Sequence, residues 1–300
     1  MTRFPSQELE KIIVRLPEGM RERLSEVAKA NNRSVNAEVV ARLEQGLFPP
    51  LANRLRSLLG QISGARGMSH ITPSYIAEMI GEPRADTIES GFAGQESLTF
   101  AQLESIANLW GARSAWLKHG TGGMFPVERA PEFTARQARE FLESDSKKLS
   151  FVRSQSRNGE LAVVVERNNW IFETYFTGIH LSNEIGMGGE FDNARFSNAC
   201  RFLWVEDKTK LSSYLMSDED FDQLIFGNMY PGLALSRASY SVWAEDWWDS
   251  GQFNRKNAEP LWDKYREFCV RIYACVESDQ SLREERDAIL KRQRATNMLP

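Results

Sequence analysis

Two stretches rich in glycine and proline divide the 300-residue chain into three segments. The first stretch, Gly46–Pro50, ends in two prolines that stop any helix before them. The second stretch, Gly120–Pro131, holds three glycines and two prolines. We therefore predict a multi-domain protein with domains at residues 1–48, 51–126 and 130–300.

The N-terminal segment is too short to bury much apolar surface by itself. Its pattern predicts a β-α-α arrangement, with an alternating β-branched strand at Lys11–Leu16. Pro17 is predicted to open the first helix and Ser34 to cap the second. A single strand leaves its backbone donors and acceptors unpaired. The simplest partner is the same strand of a second copy, paired antiparallel about a two-fold axis.

Residues 4–45 resemble the Arc-type ribbon-helix-helix repressors. The resemblance is carried by Arg15-Leu16-Pro17 and by the string Asn32–Glu38 with Arg42. It implies a dimeric fold whose two-stranded ribbon enters the major groove of double-stranded DNA. The alternative is an Arc-like fold that serves only for dimerisation.

The resemblance also implies roles for individual residues of this segment. Lys11, Ile13 and Arg15 correspond to the base-reading positions of the ribbon, where Ile13 departs from the polar residue usual in the family. The start of the second helix is expected to hold a DNA phosphate through backbone N–H groups. The residues at that helix start are Ser34, Val35 and Asn36.

Three further residues of this segment match a buried ionic triad of the Arc fold. They are Arg33, Glu38 and Arg42. Removing one member of such a network leaves the others with unpaired charge, so the triad serves stability. We assign these residues to the structure and not to DNA contact.

The middle segment predicts an all-α domain. It resembles a Cro-type, lambda-repressor-like helix-turn-helix module in Ile76–Gly81, Leu103–Ala107 and Trp116–Gly120. This resemblance implies a recognition helix near residues 83–90, in which Arg84 would contact DNA.

That recognition helix carries little positive charge. Arg84 is followed by Asp86 and Glu89. Carboxylates repel DNA phosphates, although they can accept a hydrogen bond from cytosine. A helical assembly module without DNA contact is therefore the alternative for residues 51–126.

The C-terminal segment predicts a mixed α/β domain. A hairpin is indicated by two strands, 161–165 and 170–176, on either side of Asn168-Asn169. Further strands are predicted at 202–205 and 211–216, and helices at 133–142, at 217–226 with a cap at Ser217, and beyond residue 258.

The sequence shows no recognisable catalytic or metal-binding motif. Its three cysteines form no C-x-x-C pair, and its three histidines form no H-E-x-x-H pattern. The glycine-rich Ile185–Gly189 lacks the spacing of a phosphate-binding loop. We expect no cofactor, no metal and no enzymatic activity. The aromatic and acidic string Trp243–Asp249 is read as core packing, with a ligand site as the alternative.

Charge is unevenly spread along the chain. Residues 1–50 carry eight basic and seven acidic side chains, whereas residues 127–300 carry 23 basic and 28 acidic ones. The N-terminus lacks the apolar core of a secretory signal, and no apolar run has the length of a membrane helix. The sequence therefore predicts a soluble, cytoplasmic protein without a membrane partner.

These features together predict a bacterial or prophage transcriptional repressor. It would bind paired, inverted half-sites as a dimer or a dimer of dimers, with a small-molecule or protein effector at the C-terminal domain. One alternative is an antitoxin or anti-regulator whose C-terminal segment binds a protein partner. Another is an enzyme in that segment, regulated by DNA binding.

Overall fold

The computed structural model describes residues 16–47, 49–130, 132–144, 147–156, 158–168, 170–254 and 260–296. The chain divides into two compact units, Met1–Asn53 and Arg54–Pro300. Of the predicted strand Lys11–Leu16, residues 11–15 lie outside the described residues.

The first unit contains helices α1 (Met20–Ala30) and α2 (Val35–Leu47). The expectation that Pro17 opens α1 is wrong. Gly19 has a φ of 76°, in the left-handed region, so the helix starts only at Met20. A left-handed residue interrupts a right-handed helix, and glycine adopts that conformation without a steric penalty.

A group of helices follows in the middle segment, in line with the all-α prediction. Thr72 Oγ1 accepts a hydrogen bond from Tyr75 N (3.3 Å) and so caps the helix that starts at Pro73. Thr99 and Gln102 form a reciprocal capping box at the start of another helix. These helices are α3 (Pro50–Ser63), α4 (Pro73–Met79), α5 (Asp86–Ala93), α6 (Phe100–Leu109) and α7 (Ser114–His119).

A mixed six-stranded sheet forms the centre of the described part of the second unit. Its strands in chain order are β1 (Val127–Arg129), β2 (Lys148–Ser154), β3 (Glu160–Asn168), β4 (Ile171–His180), β5 (Leu211–Met216) and β6 (Ser239–Tyr240). The spatial order is β1-β4-β3-β2-β5-β6. β1 runs parallel to β4 and β2 parallel to β5, while the other neighbouring pairs are antiparallel. The predicted hairpin is β3 with β4.

Helices cover this sheet and supply most of the remaining core. The longest is α9 (Met187–Asp207), which contacts four other helices as well as the sheet. The others are α8 (Ala135–Glu143), α10 (Asp218–Ile225), α11 (Pro231–Arg237), α12 (Trp243–Asp246), α13 (Ser250–Phe253), α14 (Tyr265–Ser278) and α15 (Gln280–Thr296). The predicted Ser217 cap of α10 is confirmed, because its hydroxyl accepts from Asp220 N (3.3 Å).

In this segment one predicted strand is wrong, and a central strand of the sheet is not predicted. Residues 202–205 are not a strand, since they belong to α9. Phe202 and Leu203 are buried there, and α9 has buried residues on several sides, so its pattern lacks the polar face of a surface helix. Strand β2 was not predicted. Its polar residues Ser150, Arg153 and Ser154 are buried, which conceals the apolar run of a central strand.

Aromatic side chains fill the space between the sheet and α9. Phe151 on β2 meets Phe196 on α9 edge to face, with ring centroids 4.9 Å apart. Trp247 lies 5.4 Å from Phe196, and Phe133 lies 5.2 Å from Phe151. All four rings are buried. Such contacts add to the free energy gained from burial alone.

Hydrogen bonds also join α3 to the loop before α11, and that loop to the turn between β3 and β4. Gln61 on α3 donates to the carbonyl of Asn228 (3.1 Å) and accepts from Tyr230 N (3.0 Å). The Tyr230 hydroxyl donates to the carbonyl of Trp170 (2.6 Å). Residues on both sides of the Gly120–Pro131 stretch therefore lie in one compact unit.

We predict that Phe151→Ala destabilises the second unit by about 3–5 kcal/mol, because the substitution leaves a cavity in a close-packed aromatic cluster. The measurement is the free energy of unfolding in urea. Phe226→Ala is the matched control, since that side chain is 65% exposed and its loss should cost only about 0.5 kcal/mol. Equal losses in the two variants would contradict the assignment of Phe151 to the core.

Candidate nucleic-acid interface

The turn between α1 and α2 sets the start of α2. Arg33 N donates to Ala28 O (2.8 Å) and Asn32 N to Lys29 O (3.1 Å), which is the hydrogen-bond pattern of a Schellman motif. Asn32 has a φ of 50°, a left-handed conformation that asparagine tolerates. The turn therefore brings Ser34 directly to the N-terminus of α2.

Ser34 caps α2 as predicted. Its Oγ accepts a hydrogen bond from Ala37 N (3.1 Å), and its carbonyl accepts from Glu38 N (2.9 Å). The N–H groups of Val35 and Asn36 belong to the first turn, where a helix offers no internal acceptor. Both residues are exposed. Together with the positive end of the helix dipole, these N–H groups can bind an anion such as a phosphate.

Glu38 is the buried charged group of this unit, with 3% of its surface exposed. Its carboxylate accepts from Arg42 Nε (3.0 Å) and from Asn31 Nδ2 (3.0 Å). The third predicted partner, Arg33, lies at 4.0 Å. The side chains of Arg33 and Arg42 are each about half exposed, so only the carboxylate of the predicted triad is buried.

The role of Asn31 cannot be seen in the sequence, because a side-chain amide carries no charge pattern that would reveal such a contact. The hydrogen bond from Asn31, followed by that from Arg42, holds the pKa of Glu38 below its usual value. Glu38 is therefore ionised at neutral pH and ties the end of α1 to α2.

Several apolar side chains of the first unit are exposed. Val40 and Leu43 on α2 are 52% and 57% exposed. The other large ones are Leu16, Met20 and Val35. Among the described side chains of α1 and α2, only Ala28 and Glu38 are fully buried. The predicted base-reading residues Lys11, Ile13 and Arg15 lie outside the described residues.

The predicted recognition helix of the middle segment presents a different surface. Arg84 precedes α5 and is ion-paired with Asp86, and its Nε donates to Asp86 Oδ1 (3.2 Å). The hydrogen bond from Arg84 lowers the pKa of Asp86. Glu89 is exposed on the same short helix. The positive charge of Arg84 is therefore largely neutralised by its neighbour.

The cysteines and the tryptophan-rich string belong mainly to the core. Burial raises the pKa of the Cys200 and Cys269 thiols, which disfavours the nucleophilic thiolate. Trp243, Trp247 and Trp248 are buried, in line with the core-packing interpretation. Within the described residues, no three His, Cys, Asp or Glu side chains group as metal ligands would. None of the described helices is long and apolar enough to cross a membrane.

Comparison with known proteins bears on the first unit. Residues 6–51 match the family described as Arc-like DNA binding domain. The N-terminal segment is an Arc-like DNA-binding domain. A stretch of 45 residues, 15% of this chain, is 54% identical to the transcription factor AmrZ of Pseudomonas ogarae. The match covers 42% of AmrZ, so the chain spans less than half the length of this relative. No solved structure matches the chain.

We predict that Glu38→Gln destabilises the contact between α1 and α2 in the Arc-like domain, because the buried amide cannot supply the negative charge that pairs with Arg42. The measurement is hydrogen exchange of the α1 and α2 amides in the full chain at pH 7, where the variant should exchange faster. Because the folded-state pKa of Glu38 is lowered, its contribution is present above pH 4.5 and is lost as the pH falls through the folded-state pKa.

The difference between Glu38→Gln and the parent protein should therefore shrink at acidic pH. Glu26→Gln is the matched control, because Glu26 is exposed on α1. If Glu38→Gln and Glu26→Gln gave the same exchange at pH 7, the carboxylate would not tie α1 to α2.

Proposed function

We propose that this protein is a sequence-specific DNA-binding transcriptional repressor that recognises paired, inverted half-sites as a dimer or a dimer of dimers. The observation that carries the proposal is the Arc-like DNA-binding domain at residues 6–51, with its 54% identity to a transcription factor. The described geometry of α1 and α2 supports it, because Ser34 leaves an anion-binding helix start exposed.

In this proposal the N-terminal ribbon reads the bases. Lys11, Ile13 and Arg15 are every second residue of the predicted strand, so they would share one face, which would point away from the helices. Arg15 can form a bidentate pair with guanine, and Ile13 can contact a thymine methyl group. The N–H groups of Val35 and Asn36, positioned by the Ser34 cap, hold the flanking phosphate.

The exposed apolar side chains of the first unit support dimerisation. Val40 and Leu43 are more than half exposed, although an α-helix of a small domain normally buries such residues. A second copy related by a two-fold axis would cover them and would pair the predicted strands. A two-fold dimer fits an inverted pair of half-sites.

The middle helices take a secondary part in this proposal. A helix-turn-helix arrangement of α4 and α5 would present Arg84 to DNA, but Arg84 is paired with Asp86. The nearby exposed Glu89 adds repulsion for phosphates. We therefore assign base discrimination mainly to the Arc-like domain, and assembly or auxiliary DNA contact to residues 51–126.

The C-terminal part has a regulatory or assembly role in this proposal and no catalytic one. Residues 127–300 carry an excess of five acidic side chains, which disfavours contact with the DNA backbone. The buried thiols Cys200 and Cys269 are poor nucleophiles. A binding role therefore suits this segment better than a reaction.

We predict that Arg15→Ala weakens binding to a specific site by about 1–3 kcal/mol, the value of one bidentate base contact. Arg84→Ala should have a smaller effect, because Asp86 already neutralises that guanidinium. The measurement is a titration with labelled operator and with random DNA at one fixed salt concentration, since salt alone changes DNA affinity strongly.

Arg136→Ala is the matched control for the loss of one positive charge, since Arg136 on α8 is 78% exposed and paired only with its helix neighbour Glu140 in the described part of the chain. It should leave specific affinity unchanged. If Arg84→Ala abolished specific binding while Arg15→Ala did not, base reading would belong to the middle helices.

A further inference from the structure

A cavity of about 330 Å³ lies between α9, α14, α15 and the turn that leads into α13. Its lining includes the aromatic side chains Trp204, Trp248 and Tyr273. Arg201 on α9 and Arg286 on α15 also line it. The volume is at the small end of the range of pockets that hold small ligands. Aromatic walls of this kind accommodate a flat apolar group.

Arg201 is the unusual group of this cavity, because only 5% of its surface is exposed. Of its three guanidinium nitrogens, only Nη2 donates a hydrogen bond among the described residues, to the carbonyl of Trp248 (2.8 Å). Its Nε is buried without a hydrogen-bond partner. No described carboxylate lies within 4.0 Å of the guanidinium, which instead faces the Trp248 ring at 5.1 Å.

Burial, followed by repulsion from the nearby Arg286, lowers the pKa of Arg201 to about 10, and the attraction of Asp249 opposes this shift. This guanidinium is still charged at neutral pH, in a place where an unpaired charge is costly. Burial of a charge is normally compensated by a paired charge of opposite sign.

Neither carboxylate that lines the cavity, Asp249 or Glu277, forms an ion pair with Arg201 in the described part of the chain. Arg286 is ion-paired with Glu277 and donates twice to Asp287 Oδ1 (2.9 and 3.1 Å). Asp249 Oδ1 accepts a hydrogen bond from the backbone N–H of Gly251 (2.9 Å). One positive charge, that of Arg201, therefore remains without an ion pair at the cavity wall.

We propose that this cavity binds a small aromatic monocarboxylate, whose carboxylate pairs with Arg201 and whose ring lies among Trp204, Trp248 and Tyr273. A planar guanidinium matches a carboxylate in a two-point hydrogen-bonded pair. The buried guanidinium of Arg201, with its unpartnered Nε, offers a site for one carboxylate. A phosphate monoester dianion would bring a second negative charge close to Asp249 and Glu277. The site is separate from the proposed DNA-binding residues.

The test is isothermal titration calorimetry of the full chain without DNA, so that the result does not depend on the proposed DNA binding. Benzoate is the probe, and benzyl alcohol, benzylamine and phenyl phosphate are its comparison ligands. We expect benzoate to bind at least about tenfold more tightly than benzyl alcohol, because a charge-assisted pair adds to ring burial. Benzylamine and phenyl phosphate should bind more weakly than benzoate.

Two variants test whether the guanidinium of Arg201 and the charge beside it determine the affinity for benzoate. Arg201→Lys keeps the charge but loses the planar two-point pair, and should weaken benzoate binding about tenfold. Asp249→Asn removes a nearby negative charge while its side-chain oxygen can still accept from Gly251, and should tighten binding roughly threefold. Arg195→Lys, on the exposed part of α9, is the matched control and should change nothing.

Several results would overturn the proposal. Equal affinity for benzoate and benzyl alcohol would make the cavity a purely apolar site. Tighter binding of benzylamine would assign it to a cation, and tighter binding of phenyl phosphate would assign it to a phosphate. Absence of benzoate binding up to about 10 mM would leave no carboxylate site. The ligand series uses the parent protein, so it decides the matter even if Arg201→Lys fails to fold.

Discussion

Two short helices offer too little surface to bury all of their apolar side chains, and this constraint determines how the first unit can be stabilised. α1 and α2 leave Val40 and Leu43 more than half exposed, while the described part of both helices fully buries only Ala28 and Glu38. Small domains of this size normally gain their missing core from a partner. Stability and DNA recognition are then linked, because the same association that covers the apolar face would also build the two-stranded ribbon.

Within that limit, local hydrogen bonds fix the part of the unit that faces DNA in our proposal. The left-handed Asn32 and the Ser34 cap define where α2 begins. Glu38 ties α2 to the end of α1 through Asn31 and Arg42. The exposed helix start is thus held by hydrogen bonds within the unit itself, so it can be preorganised before binding.

The sequence predicted elements well where their signals are local. Caps at Ser34 and Ser217 are visible as single polar residues before apolar periodicity, and both accept the expected hydrogen bonds. It failed where burial is decided by distant parts of the chain. α9 is covered on several sides and β2 buries Ser150 and Arg153, so neither shows the periodicity of its own secondary structure. The unpaired Arg201 is likewise visible only once α9, α14 and α15 are together.

The most direct test of the central claim is footprinting of the protein on genomic DNA fragments that it selects, with the parent chain compared to a chain lacking residues 1–49. This deletion leaves helix α3, which starts at Pro50, intact. The parent chain should protect paired, inverted half-sites, and the shortened chain should select no common sequence. If the shortened chain protected the same half-sites, DNA recognition would lie outside the Arc-like domain, and the role proposed for that domain would be wrong.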